Sequence, residues 1–434
     1  MHTIYSPVIN QNPFWKGKRL RHSGIRRKKY LSRLLRECNI DELSALIGVR
    51  RSGKSTLMKQ IINALLKQGV APRDILFVNF EEPGLAPFLT SHIIFQAIRI
   101  FEDTRSTTTC KTRKYLLFDE IQNVPEWERS IRSLVDSKKY KIFISGSSAK
   151  LLGHELATSL SGRYLKTEIF PLDYEEFAGF NKVNHPNIHT FIRTGGFPAI
   201  ARQPDKELRQ RTLADYFESI LLRDIASRYN LRNTRALREF SVFLYSNISN
   251  IVSIPQFQKM LGLSPDMISR FYEYIETAYL GFFIPIFSQS VKKQIYNPKK
   301  FYAIDTGLQQ AVTLTSHENS GFLFENNIFL DLRRRFSHNE IFYWKNGVEV
   351  DFVIRQGSKI THLINACIDI SKAATRAREI RSLKTAMIEF SINRSYIVTL
   401  DHKYEEIETT EGIIEVIPWD LMQEEAFFNK LSSD

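Results

Sequence analysis

Short apolar runs alternate with helical stripes along the first part of the chain. Residues 44–47, Ser-Ala-Leu-Ile, have the length and character of a strand buried on both faces. Leu57, Met58, Ile61, Ile62 and Leu65 then recur at steps of three and four, which predicts a helix with one buried side. The strand pattern returns at residues 75–80, 114–118 and 141–144. Strand and helix alternate from 43 to 170, the order of a parallel sheet with helices on both faces. Such sheets bind ligands at the carboxyl ends of their strands.

Further on the pattern changes. Residues 173–231 read as helical, broken at Gly195-Gly196, with Leu213, Tyr216, Phe217, Ile220 and Leu221 on one face. Residues 236–246, 254–261 and 266–280 predict three helices, with Gly262 in a turn between the last two. Ser264 as N-cap and Pro265 at the first helical position open the third. This is a helix-turn-helix outline, with 282–296 as the strands of a wing. Ser269 and Arg270 face outward near the start of the third helix, where base contacts are made, but Glu273 and Glu276 on the same helix would repel phosphates. Residues 375–389 predict a helix with Ile380, Leu383 and Met387 inward, and 396–400 and 412–419 predict strands.

The chemistry begins at the first strand-to-helix junction. Residues 48–56 read Gly-Val-Arg-Arg-Ser-Gly-Lys-Ser-Thr and match G-x-x-x-x-G-K-[ST] in full. Gly48 and Gly53 allow a tight loop around Arg51 and Ser52 whose amides point at an anion. Lys54 carries positive charge to the outer phosphates, Ser55 offers a hydroxyl to Mg2+, and Thr56 opens a helix whose N-terminus favours the same phosphates. Residues 114–120 end an apolar run in Asp119 and Glu120. Asp119 fits the second metal ligand and Glu120 a base that polarises the attacking water. After residues 141–144 comes a polar tip at which Ser147, with Ser148 beside it, stands as a candidate between the acids and the last phosphate. The other reading is a serine-rich helix cap. Arg163 has two open readings as well, transition-state charge neutraliser or surface arginine.

These residues resemble a family, the AAA-type ATPases of bacteria and archaea that carry a C-terminal domain of unknown function. The resemblance rests on residues 48–56, 116–127, 144–152, Ser161-Gly162-Arg163, Phe170-Pro171-Leu172, Gly195-Gly196-Phe197-Pro198, 301–308 and 347–354, in the family's order. It implies an α/β P-loop NTPase sheet over 43–172 behind a basic arm, 1–42. A helical lid follows at 173–233, a winged helix at 234–298, and a restriction-endonuclease-like α/β module at 299–434. It implies ATP and Mg2+ as cofactors, Arg163 as an arginine finger, and Pro198 near the adenine. A plain turn at Gly195-Gly196 is the alternative for Pro198.

A working nuclease site of this kind gathers a helix Glu, a strand Asp and a Glu-x-Lys around a metal. Glu325 and Asp351 fit the first two. Asn365 and Cys367 stand where the acid and lysine belong, so the module is read as inactive unless a lysine such as Lys359 or Lys372 substitutes.

Net charge is +13, from 60 Lys and Arg against 47 Asp and Glu, which favours an anionic partner beyond ATP. Ten Lys and Arg crowd residues 16–36 before the first acid, Glu37. Tyr30, Leu31, Leu34 and Leu35 share helical spacing with them, so a solvated basic face competes with phosphate binding. Cys38, Cys110 and Cys367 form no C-x-x-C pair, which fits a reducing, cytoplasmic location. Residues 1–11 lack a secretion signal's apolar core, and 278–287 is too short to span a bilayer. The expected molecule is an ATP hydrolase that switches C-terminal domains binding double-stranded DNA or a protein, with a homo-oligomer as a further candidate state. The rivals are an ATP-regulated nuclease and a non-hydrolysing scaffold.

Overall fold

The computed structural model describes residues 4–18, 20, 24–104, 113–147, 162–181, 187–313, 320–400 and 402–422. The chain divides into two compact units, Met1–Pro171 with Thr277–Tyr279, and Leu172–Glu276 with Leu280–Asp434.

The first unit is built on five strands, β1 Leu43–Ile47, β2 Ile75–Asn79, β3 Lys114–Asp119, β4 Tyr140–Gly146 and β5 Tyr164–Glu168. Their order is β2-β3-β4-β1-β5 and every pairing is parallel. All of β1 is buried, as an apolar run between two neighbours must be. The helix Lys54–Lys67 follows it directly and buries Leu57, Met58, Ile61, Ile62 and Leu65. Each such side chain contributes about 1.5–3 kcal/mol when fully buried. Because β4 lies between β1 and β3, the tip of β4 falls between the two motif-bearing strand ends.

The N-terminal arm covers the exposed edge of β2. Asn12 Nδ2 donates to Phe77 O and Phe77 N donates to Asn12 Oδ1, both at 2.8 Å. Asn79 N donates to Gln11 Oε1 at 2.6 Å, and Trp15 Nε1 donates to Ile75 O at 2.8 Å. These side chains satisfy backbone groups that would otherwise template another strand.

The second unit begins with the helices Tyr174–Asn181, Ile188–Thr194, Pro198–Ala201 and Lys206–Ser219, the last continuing into a π-helical turn, Ile220–Ala226. The helices expected as a lid thus cluster with the C-terminal part of the chain. Next come Thr234–Ser246, β6 Ile251–Val252, Ile254–Leu261, Pro265–Thr277, β7 Gly281–Ile284 and β8 Lys299–Ala303. The three strands form an antiparallel sheet in the order β6-β8-β7. Two sequence expectations change here. Residues 291–296 form a short helix rather than wing strand, because Ser290 accepts a bond from Lys293 N and caps it. The strand at 299–303 pairs with β6 and β7, so the boundary drawn at 298 cuts through a sheet.

The remaining strands are β9 Ile341–Asn346, β10 Val348–Gln356, β11 Lys359–Cys367, β12 Arg394–Thr399, β13 Glu405–Thr409 and β14 Gly412–Pro418. They form a mixed sheet in the order β13-β14-β12-β11-β10-β9. The helix Ala373–Phe390 packs Leu383, Ala386 and Met387 onto Val350, Val353, Leu363 and Ile397, with Ile380 partly buried beside them. Among the described residues no helix is long and apolar enough to cross a membrane.

Candidate nucleotide site

The turn between β1 and the helix Lys54–Lys67 is a formed anion loop. Gly48 has φ 148°, and a Cβ there would lie 2.2 Å from the Ile169 carbonyl oxygen. Gly53 has φ 103° and Arg51 has φ 72°. Lys54 is 3% exposed, and its Nζ donates to Gly48 O and Val49 O, each at 3.0 Å. The loop therefore curls around its own lysine, which stands 4.0 Å from Glu120 Oε1. Ser55 and Thr56 sit half-buried at the start of the helix.

A second shell of support comes from the basic arm. Arg27 is buried, and its Nη1 donates to Ser52 O at 3.0 Å and to Phe170 O at 2.8 Å. Its guanidinium lies 4.5 Å from the Tyr30 ring centre. Gln60 Nε2 donates to Ile25 O at 2.8 Å and holds the arm against the loop's helix. The basic run at 16–36 left Arg27 either a phosphate-binding or a solvated charge, and it is neither solvated nor turned outward. Its one signal was the apolar company of Ile25, Tyr30 and Leu31.

β3 delivers the acids. Asp119 is fully buried at the strand's end. The hydroxyls of Ser145 and Ser55 both stand against its carboxylate, Ser145 Oγ donating to Oδ1. Its Oδ2 is buried with no hydrogen-bond partner among the described residues. Burial, and then the neighbouring charge of Glu120, push its pKa up to about 6 against the pull of Ser145, Ser55 and Lys54. An orphaned carboxylate oxygen beside a serine hydroxyl is a donor set that suits a hard, oxygen-seeking cation such as magnesium.

Glu120 follows in a left-handed conformation, φ 51° and ψ 49°. That geometry is uncommon outside glycine and costs on the order of 1 kcal/mol. Its backbone N donates to Ser145 Oγ at 3.1 Å. Gln122 Nε2 donates both to Glu120 Oε2 and, at 3.3 Å, to Ser147 Oγ. Ser147 is thereby tied to the acidic pair through Gln122, while Ser148 lies outside the described residues. Ser145 and Gln122 were not singled out from sequence. Their roles depend on β4 lying next to β3, which no local pattern announces.

Arg163 is not brought to this site within the chain. Leu43 N donates to Arg163 O at 3.1 Å, so Arg163 lies at the entry end of β1 and the loop leaves from the other end. A five-residue strand separates them, roughly 16 Å. The side chain is 63% exposed and pairs with Asp136. Of the readings open for Arg163, this register does not favour action on the loop of its own chain.

Pro198 belongs to the second unit and opens the short helix Pro198–Ala201. Gly196 N donates to Asp305 Oδ2 at 2.6 Å, and Leu172 N donates to Gly196 O at 2.7 Å. Gly195 has φ 77°, and a Cβ there would lie 2.1 Å from Asp305 Oδ1. These are the contacts of a packed turn. Burial pushes the Asp305 carboxyl up to about 7, against bonds from three backbone amides.

In the second unit, Glu325 on the helix Ser320–Arg333 and Asp351 on β10 do meet. Both contact Lys300 of β8, as does Glu349. Lys359 and Lys372 are exposed.

Comparison with known proteins agrees with this organisation. The AAA domain family matches residues 41–178, and two domains of unknown function, DUF8612 and DUF4143, match 185–319 and 320–422. An uncharacterized protein of Methanocaldococcus jannaschii is 34% identical over 405 residues, 87% of this chain and 87% of its own length. An uncharacterized protein of Haemophilus influenzae is 28% identical over 406 residues, 91% of this chain and 98% of its own. Among solved structures, the Walker-type ATPase PABY2304 of Pyrococcus abyssi aligns with a TM-score of 0.46 at 14% identity, covering 68% of this chain and 97% of that one. With an AAA domain followed by two domains of unknown function, and a relative of this identity along most of its length, the chain belongs to the AAA-type ATPase family of bacteria and archaea that carries a C-terminal domain of unknown function.

Proposed function

We propose that the first unit binds and hydrolyses Mg-ATP, and that nucleotide state is passed to the second unit. The observation that carries this reading is the buried, partnerless Oδ2 of Asp119 beside the Ser55 hydroxyl, next to a loop already wrapped around Lys54. Gly48, Arg51, Ser52, Gly53 and Thr56 shape the amide cradle that takes the phosphates, and Lys54 neutralises the outer ones. Magnesium held by Ser55 and Asp119 would neutralise charge on the phosphate oxygens. Glu120 accepts the proton of the attacking water, and Gln122 and Ser147 hold its carboxylate in place. Arg163 serves a neighbouring subunit of a homo-oligomer. Pro198 remains the candidate for the adenine side.

The route to the second unit is the peptide at Phe170 and Pro171, whose carbonyls Arg27 grips together with that of Ser52. The helix, strand, helix, helix, strand, short helix, strand order of residues 234–303, with its three strands in one antiparallel sheet, supports a winged-helix reading. Exposed Ser269 and Arg270, and the excess of positive charge, favour double-stranded DNA over a protein as the partner. Glu276 is engaged by Phe283 N and His338, and Asp266 and Glu273 are exposed acids on that helix.

The test is a pair of variants. Lys54→Ala should abolish ATP binding. Glu120→Gln should keep binding and lower turnover by about 10²–10⁴. Normal hydrolysis by Glu120→Gln rejects the base assignment. Stimulation of the wild type by duplex DNA at low salt, fading as salt rises, identifies phosphate contacts. Indifference to DNA points to a protein partner.

A further inference from the structure

The geometry points to Lys300 as a built-in replacement for the metal ion of a nuclease-type carboxylate site. In the restriction-endonuclease-like module that the resemblance implies, the helix glutamate and strand aspartate, Glu325 and Asp351, would stand around a divalent cation. Here their oxygens converge on an ammonium group. Lys300 Nζ lies 2.8 Å from Glu325 Oε1, 2.9 Å from Asp351 Oδ1 and 3.0 Å from Glu349 Oε1. The lysine is 3% exposed and sits on the middle strand of the β6-β8-β7 sheet, in register with Ile251 and Ile284. It therefore reaches the carboxylates from a neighbouring sheet and not from the place of the missing Glu-x-Lys.

Further donors engage the cluster. Tyr302 OH donates to Glu325 Oε1 at 2.7 Å, and its ring stacks on Phe329 with centroids 4.2 Å apart. Ala366 N donates to Asp351 Oδ2 at 3.0 Å. Asn365, at the position of the expected acid, accepts from Asp351 N at 3.2 Å and donates to Glu379 Oε2 at 2.7 Å. A carboxylate at 365 would face Glu379 without a proton to share. Cys367 Sγ is turned to Asp369 O at 3.4 Å.

A magnesium ion needs oxygens at about 2.0–2.1 Å and near-octahedral freedom around it. Lys300 holds the centre of the same oxygens at ordinary hydrogen-bond distance, so an ion within reach of them would press against a like charge. The fold's metal and these residues do not fit. The cluster instead clasps the three-stranded sheet to the six-stranded one, and makes the second unit a binding body rather than a nuclease.

The experiment titrates Mn2+ into nucleotide-free, full-length protein and follows the free ion by electron paramagnetic resonance. Wild type and Asp351→Asn should bind the same amount. Lys300→Ser should gain about one equivalent, and that gain should vanish in Lys300→Ser combined with Asp351→Asn. A wild-type site removed by Asp351→Asn overturns the proposal, as does a folded Lys300→Ser that gains nothing. Should Lys300→Ser fail to fold, the comparison of wild type with Asp351→Asn decides alone. Plasmid nicking by wild type that Asp351→Asn abolishes would also overturn it.

Discussion

Each unit of this protein buries a lysine among carboxylates, and the two arrangements differ in what is left unengaged. In the first unit Lys54 is tied to two loop carbonyls and stays 4.0 Å from Glu120, while Asp119 keeps a buried oxygen without a partner among the described residues. In the second, Lys300 touches three carboxylates directly, Tyr302 OH donates to Glu325 and Ala366 N donates to Asp351. The first is poised for a ligand. The second is closed on itself. Proximity of acids and a lysine thus says little until their hydrogen bonds are accounted for.

The largest effect that separates the two should appear on deleting each lysine. Lys300→Met leaves buried carboxylates uncompensated and should destabilise the fold by about 3–5 kcal/mol, read from denaturant midpoints. Lys54→Ala should leave stability almost unchanged in the same measurement. Equal destabilisation would erase the distinction.

A pH series sharpens it. Asp119 is held at about 6, above its ordinary 3.8, mainly by burial. A raised carboxyl pKa means that the folded state favours the proton. Its contribution to stability is full below about 4 and is lost as pH rises through about 6. Metal must displace that proton, so magnesium affinity in the presence of nucleotide should rise roughly tenfold per pH unit up to about 6 and level off above. A profile flat from pH 5 to 7 would place the metal elsewhere.

The smallest effect concerns Arg27. Arg27→Ala should weaken ATP binding roughly tenfold, equivalent to about 1.4 kcal/mol, by loosening the Ser52 carbonyl. Arg27→Lys should recover part of it. Titration of ATP by fluorescence checks both, and an unchanged affinity would reduce Arg27 to a packing residue.

What could be read beforehand follows from the range of the interactions. The phosphate loop and Asp119-Glu120 are local in sequence, since motif, strand and helix adjoin, and so the parallel sheet was legible with them. Glu325 and Asp351 were legible through resemblance. Lys300 was not, because it reaches its carboxylates from 25 to 51 positions away in sequence, across two sheets. Ser145 and Gln122 depend on strand order, and Arg27 on the arm's path beneath the loop. The strand at 299–303 fell beyond the boundary drawn at 298 because its own pattern does not say that it pairs with β6 and β7. The readings of Arg163 stayed open because a motif's order in sequence does not say which end of a strand it occupies.

The central claim is that Ser55 and Asp119 together hold the cation of a bound triphosphate. Calorimetric titration of ATP, with and without magnesium, into wild type and Asp119→Asn tests it most directly. The account predicts that magnesium tightens ATP binding in wild type and has little effect in Asp119→Asn, while magnesium-free binding stays similar in both. An equal magnesium-dependent gain in the two proteins would contradict it.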